Sequence, residues 1–203
     1  MDIRKRINAR KVVLAYIYEH CFFSAMQKNL IAQPSKVAEA WDQISSPDTP
    51  AENSFFDAEF LKQVATKKQQ QEHIDEYVQA QVTEYLINQS PEEDAGYLMK
   101  YGFDQWQLEE IDTDYVFKVT SAISRYEEEL IEKINQNTQT FQYEQMDIMD
   151  QVCLLQGYLE VKVMDTPPAV VINEMVELAK RYSDDGAPKL VNGLLNAILI
   201  DKK

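Results

Sequence analysis

Residues 168–199 read PAVVINEMVELAKRYSDDGAPKLVNGLLNAIL. Val171, Met175, Leu178 and Tyr182 recur at the three- and four-residue intervals that line one face of a helix. Thr166 stands where it can cap that helix, and Pro167 and Pro168 are tolerated in a first turn whose amides lack intrahelical acceptors. Ser183 to Gly186 reads as a turn. Beyond it Leu190, Val191, Leu194, Leu195, Ile198 and Leu199 give a last helix a broad apolar face, and Asn192-Gly193 reads as a point of close helix packing.

Working outward, Met149, Val152, Cys153 and Leu159 mark the preceding helix. Before it, Tyr115, Val119, Ala122, Ile123, Tyr126, Leu130 and Ile134 trace one face of a long helix that the polar run 135–140 ends. Gly102 suits a left-handed cap, and Asp104 with Gln107 matches a capping box opening a helix that carries Trp106 and Ile111. Ile74, Tyr77, Val78, Val82, Tyr85 and Leu86 predict a helix over residues 72–88, while residues 34–54 read as a loop. The first segment, residues 4–26, is apolar nearly all round beyond Val12. Ala9, Val13, Tyr16 and Ile17 form one stripe; Leu14, Tyr18, Cys21 and Phe22 form another that a single core does not easily cover and that suits a partner. The fold class is all-α.

Composition agrees. With 5 Gly and 7 Pro in 203 residues, 45% apolar and 27% charged, the chain is a helix-prone globular protein and not a collagenous or disordered one. The longest apolar run, Val12 to Tyr18, falls far short of the roughly 20 residues a membrane span needs, so a cytoplasmic location without membrane contact is expected. Cys21 and Cys153 are too few to staple a secreted scaffold and have no metal-ligand spacing; both are expected reduced.

The net charge of -14 argues against a nucleic-acid partner until its distribution is read. Residues 1–38 carry seven Lys or Arg against two acids, residues 39–114 four against eighteen, and residues 115–203 nine against fourteen. A basic amino terminus thus adjoins an acidic middle. Cations in the first turns of a helix oppose its dipole at up to about 1 kcal/mol each, so Arg4, Lys5, Arg6, Arg10 and Lys11 are not there for helix stability, and phosphates would offset their cost. The acidic stretch 39–113 is expected to form a helical insertion packed away from the basic terminus, within one domain spanning residues 1–203.

The strings VINEMVELAK and KLVNGLL closely resemble the carboxy-terminal signature of the NusB family of transcription antitermination factors. DQVCLLQGYLEV, residues 150–161, is similar to the family's preceding core helix, and Ala9-Arg10-Lys11 with the apolar run to Tyr18 resembles its arginine-rich first helix. About residues 4–24 and 114–200 are covered. The resemblance implies a NusB-like helical bundle that pairs with NusE, a small-subunit ribosomal protein, and binds boxA-type single-stranded RNA within the transcription elongation complex to support ribosomal RNA synthesis. Carried over by residue, it implies RNA contacts for Arg4, Lys5, Arg6, Arg10 and Lys189, and partner contacts for Tyr18 and Asp150; the charge cluster adds Lys11 to the first set and the second apolar stripe adds Phe22 to the other. The sequence departs from the family where Gln151 and Leu155 replace frequent cations and where Gly186-Ala187 replaces an acidic-plus-serine pair.

No enzyme, cofactor or metal is expected. There is no phosphate-binding glycine loop and no paired zinc ligands, and adjacent helical residues such as His20 and Cys21 point about 100° apart. No catalytic domain is expected beyond Leu199. His73 among Gln and Glu reads as exposed, the run Glu127 to Glu129 as a solvated face, and Asn173-Glu174, beside an apolar helix face, as a place where an amide holds a neighbouring loop. Two readings follow: an RNA-binding antitermination factor, or a NusB-like protein-interaction scaffold with little RNA affinity.

Overall fold

The structure is a computed structural model that describes residues 2–32, 80, 90–102, 107–138 and 142–200. The chain divides into two compact units, residues 1–22 with 90–203, and residues 23–89. Of the second unit, the described part is helical: residues 23–32 and residue 80. Everything below concerns the first unit. The helix expected over residues 72–88, the loop over 34–54, His73, Asp104 and Trp106 lie outside the described residues.

Seven α-helices and no strand occur among the described residues, as the all-α reading requires. They are α1 (Ile3–Ala32), α2 (Pro91–Tyr97), α3 (Thr113–Thr120), α4 (Ile123–Asn137), α5 (Ile148–Met164), α6 (Pro168–Tyr182) and α7 (Ala187–Leu199). Local chemistry sets their ends. Asp2 Oδ1 accepts the Arg4 amide at 2.9 Å, Ser90 caps α2 ahead of Pro91, Asp112 Oδ1 accepts the Tyr115 amide at 3.2 Å, and Asp147 accepts the Met149 amide at 2.9 Å. Each satisfies an orphan amide of a first turn.

α5 is the axis of the bundle. Val152 to Glu160 are buried without interruption, so this helix is enclosed on all sides by α1, α3, α4, α6 and α7. α1 runs antiparallel to it: Arg10 meets Glu160, while Cys21 lies near Tyr143, whose hydroxyl donates to Gln151 O at 3.4 Å. α6 returns antiparallel as well, since Ser183 Oγ donates to Asp150 Oδ1 at 2.9 Å.

Several local expectations change. The long helix from Tyr115 to Ile134 is two helices broken at Ser121-Ala122, where the Thr120 hydroxyl bonds back to Val116 O at 2.9 Å. Such back-bonding competes with the ladder and bends helices. Thr166 does not cap α6; Pro167 occupies the cap with no side-chain hydrogen bond. Gly102 closes a π-helical turn, Leu98–Gly102, with no positive φ, and the left-handed cap falls instead at Asp165, φ 51°, ending α5. Gln107 and Glu110 cap each other across a 3-10 turn, Leu108–Glu110, and Ile111 enters the core. Close helix packing lies at Gly157, where a Cβ would meet Met175 Cγ at 2.9 Å and Leu195 Cδ1 at 3.1 Å. A Cβ on Gly193 would meet nothing within 4 Å.

Residues 90–113 belong to the first unit and supply it with Ala95, Met99 and Ile111, which are all buried. Its packing therefore extends into the stretch that composition assigned to the acidic insertion.

Candidate nucleic-acid interface

The five cations of the first three turns of α1 separate into two groups. Arg6 and Arg10 are 6% and 5% exposed; Arg4 lies on the surface, with Lys5 and Lys11 partly covered. Arg10 Nε and Nη2 donate to the two oxygens of Glu160 at 3.0 and 2.7 Å, and Nη1 donates to Glu174 Oε2 at 2.9 Å. Two parallel bonds to one carboxylate use the guanidinium fork fully. Burial works against the Arg10 charge, but Glu160, by hydrogen bond and proximity, outweighs it and raises the pKa above the usual arginine value.

Glu160 is fully buried and accepts a third bond, from the Tyr115 hydroxyl at 2.8 Å. Burial, then the Glu160 charge, holds the Tyr115 phenol well above its ordinary pKa, so it stays a donor. Gln156 Nε2 donates to Arg10 O at 2.9 Å, tying α5 to the α1 backbone. Arg6 stacks over the Tyr115 ring, 4.5 Å from its centroid, and its Nε donates to Asp112 Oδ2 at 3.0 Å. Asp112 N to Lys5 O and Asn8 Nδ2 to Glu110 O, at 3.2 and 3.0 Å, fasten the same segment to α1.

The offset assigned to phosphates is thus supplied, for Arg6 and Arg10, by protein carboxylates. Buried charges persist only when paired and hydrogen-bonded, and Asp112, Glu160 and Glu174 meet that condition. These partners were missed because they stand more than 100 residues along the chain. The contact to a neighbouring element at Asn173-Glu174 is made by the Glu174 carboxylate and not by an Asn173 amide, and the element is the helix α1 and not a loop.

Lys189 is exposed in the first turn of α7. It stands at the Asp150 end of α5, whereas Arg4 and Lys5 stand at the Glu160 end, roughly 15 Å away along the axis at about 1.5 Å per residue. The six expected RNA contacts are therefore not one patch. Cations that the sequence reading passed over, Lys180 and Arg181, share a groove with Ile7 and Lys11 between α1 and α6. An adjacent basic pair in the last turn of α6 was their available signal.

Of the expected partner residues, Tyr18 and Phe22 are 42% and 41% exposed and stack at 6.4 Å with planes 13° apart. Leu14 and Cys21, from the same stripe, are buried in the core. Asp150 is turned inward: it is 6% exposed, accepts from Ser183, and burial raises its pKa despite that bond. It joins the start of α5 to the end of α6. Among the departures from the family pattern, Leu155 is fully buried, where a cation could not be solvated, and Gln151 donates to Met146 O at 2.9 Å.

The run Glu127 to Glu129 is only partly solvated. Glu127 pairs with His20 Nε2 at 3.0 Å, and Glu129 takes Lys162 and Lys133 at 3.1 and 3.3 Å. Among the described residues no His, Cys, Asp or Glu side chains gather as for a metal ion, and no helix is long and apolar enough to cross a membrane.

The sequence model of the NusB family matches residues 56–199. The chain belongs to the NusB family. The transcription antitermination protein NusB of Staphylococcus carnosus (strain TM300) is 36% identical over 87 residues, covering 43% of this chain and 68% of its own length. That of Methylacidiphilum infernorum (isolate V4) is 36% identical over 95 residues, 46% of this chain and 66% of its own length. That of Clostridium novyi (strain NT) is 32% identical over 93 residues, covering 45% and 70%. The family match takes in Asp112, Tyr115, Glu160 and Glu174; the α1 cations precede it.

Proposed function

We propose that this NusB-family chain is a transcription antitermination factor that binds boxA-type single-stranded RNA and pairs with NusE in the elongation complex, supporting ribosomal RNA synthesis in the cytoplasm. The observation that carries the reading is the family match over residues 56–199. It is a binding protein and not an enzyme. RNA is held by surface cations, which supply backbone affinity, and NusE docks on the exposed Tyr18 and Phe22 stack, an aromatic pair of the kind enriched at interface centres.

A second reading, a protein-interaction scaffold with little RNA affinity, draws support from one observation: Arg6 and Arg10 are committed to internal carboxylates. Titration of labelled boxA-type RNA, with and without NusE, separates the two. The factor binds RNA, more tightly with NusE present; the scaffold captures NusE and leaves the RNA free in both titrations.

A further inference from the structure

Tyr97 and Tyr101 are 64% and 57% exposed, and their ring centroids stand 5.0 Å apart with planes at 47°. Both sit where α2 passes into the π-helical turn Leu98–Gly102. The other side of this stretch is anchored, because Ala95 and Met99 are buried in the core. The pair is therefore presented outward from a fixed element, at a separation where aromatic rings attract each other. π-Helical turns continuing an α-helix occur frequently at functional sites.

Three carboxylates, Glu92, Glu93 and Asp94, occupy the first turn of α2, against Lys100 in the turn that follows. Glu93 stands four residues before Tyr97 and so shares its face. Acids in a first turn complement the helix dipole, which accounts for their position but not for two exposed tyrosines beside them. Among the described residues neither Glu92 nor Glu93 has an ion pair. Lys100 Nζ lies 4.9 Å from the centroid of the Tyr101 ring, so part of the pair already holds a cation. The Tyr97 ring holds none among the described residues.

We propose that Glu92, Glu93, Tyr97 and Tyr101 form a docking surface for a basic protein segment, an arginine of which lies against the Tyr97 ring and bonds a carboxylate of α2. The surface is on a different helix from the Tyr18 and Phe22 stack, and it does not depend on the RNA-binding reading. A guanidinium is planar, stacks on aromatic faces and can bond a carboxylate through two parallel N–H groups, which an ammonium cannot do. Tyrosine and arginine are also enriched where interfaces concentrate their binding energy. Nucleic acid fits poorly, because a base stacked on Tyr97 would bring its phosphates into the field of three carboxylates answered by one lysine. A second copy of the chain brings a net charge of -14, and like charge opposes it.

The test titrates the full chain at low salt with a fluorescent five-residue peptide of alternating glycine and arginine, and with its lysine counterpart. Anisotropy gives the affinity, and NMR of isotope-labelled tyrosine rings gives the location. The arginine peptide is expected to bind more tightly and to shift the Tyr97 and Tyr101 signals, leaving the exposed Tyr18 ring unmoved. An exposed cation–π contact is worth about twofold to fivefold in affinity, so Tyr97→Leu/Tyr101→Leu should weaken the peptide roughly tenfold. Glu92→Gln/Glu93→Gln should weaken it about fivefold. Glu128→Gln/Glu132→Gln, which removes the same charge from exposed positions on α4, should stay within about twofold. Absent shifts at Tyr97 and Tyr101, equal affinity for the two peptides, or losses no greater than the control's overturn the proposal. It is equally overturned if single-stranded RNA moves these signals where the arginine peptide does not, or if they move with protein concentration alone, which assigns the face to a second copy. All four replaced side chains are exposed, so circular dichroism of the variants should match the parent, and the ring signals of the unsubstituted chain decide the location in any case.

Discussion

Replacing Arg10 with alanine should cost stability and not RNA affinity. The guanidinium makes three short hydrogen bonds, two to Glu160 and one to Glu174, from a site only 5% exposed. Its loss leaves Glu160, which has no solvent exposure, with the Tyr115 hydroxyl and an Arg6 nitrogen 4.0 Å away. Removing one partner of a buried ion pair costs about 3–5 kcal/mol, because the remaining charge keeps its desolvation penalty and loses its compensation. For a chain of this size about 1 kcal/mol corresponds to roughly 2–4 °C in Tm, so a fall of roughly 10 °C is expected. Arg10→Lys should recover only part of the loss, since a single ammonium cannot span both oxygens of Glu160 and also reach Glu174. Urea unfolding followed by circular dichroism gives the stability, and anisotropy with boxA-type RNA at a temperature where the variant is folded gives the affinity. A variant within about 0.5 kcal/mol of the parent but markedly weaker toward RNA would refute the assignment of Arg10 to the core.

Gly157→Ala sets helix propensity, which favours alanine by about 1 kcal/mol, against a Cβ placed 2.9 Å from Met175 Cγ and 3.1 Å from Leu195 Cδ1. Overpacking of about 1–3 kcal/mol should prevail, and a raised urea midpoint would contradict it. Asp150 has its pKa raised, first by burial and then by Asp147 and Asp184 against the Ser183 bond, so its ionisation costs stability as pH rises from the unfolded pKa to the higher folded one. Asp150→Asn should therefore gain relative to the parent across that interval and level off above it; parallel stability curves between pH 3 and 8 would count against this. Tyr18→Asp leaves the fold intact because the ring is 42% exposed, and it should weaken NusE binding by about 3–5 kcal/mol, roughly two to four orders of magnitude in Kd, by burying an unpaired charge. Calorimetry showing NusE affinity within twofold of the parent would remove Tyr18 from the interface.

Periodicity made the carboxy-terminal helices legible, because α6 and α7 each bury one face and carry that face as a repeating pattern. The same signal misled at Ser121-Ala122: Ala122 and Ile123 are both buried, so the apolar register continues through a break that depends on the Thr120 hydroxyl. Gly157 and Gly193 are indistinguishable as letters, and only the approach of Met175 and Leu195 shows which one is needed. The cations of α1 were visible as a cluster, yet their fates depended on Asp112, Glu160 and Glu174, which a local window does not contain. Charge composition drew a boundary near residue 114, whereas Ala95, Met99 and Ile111, on the acidic side of that boundary, are buried in the same core as the first helix.

The most direct measurement of the central claim is transcriptional. In a bacterial transcription extract depleted of its own NusB, the fraction of polymerase reading past a terminator downstream of a boxA leader is measured with and without this chain. Antitermination predicts that added protein restores readthrough on the boxA template and leaves a template with a scrambled boxA unchanged. Readthrough that stays at the depleted level, from protein shown to be folded and to bind NusE, would contradict it.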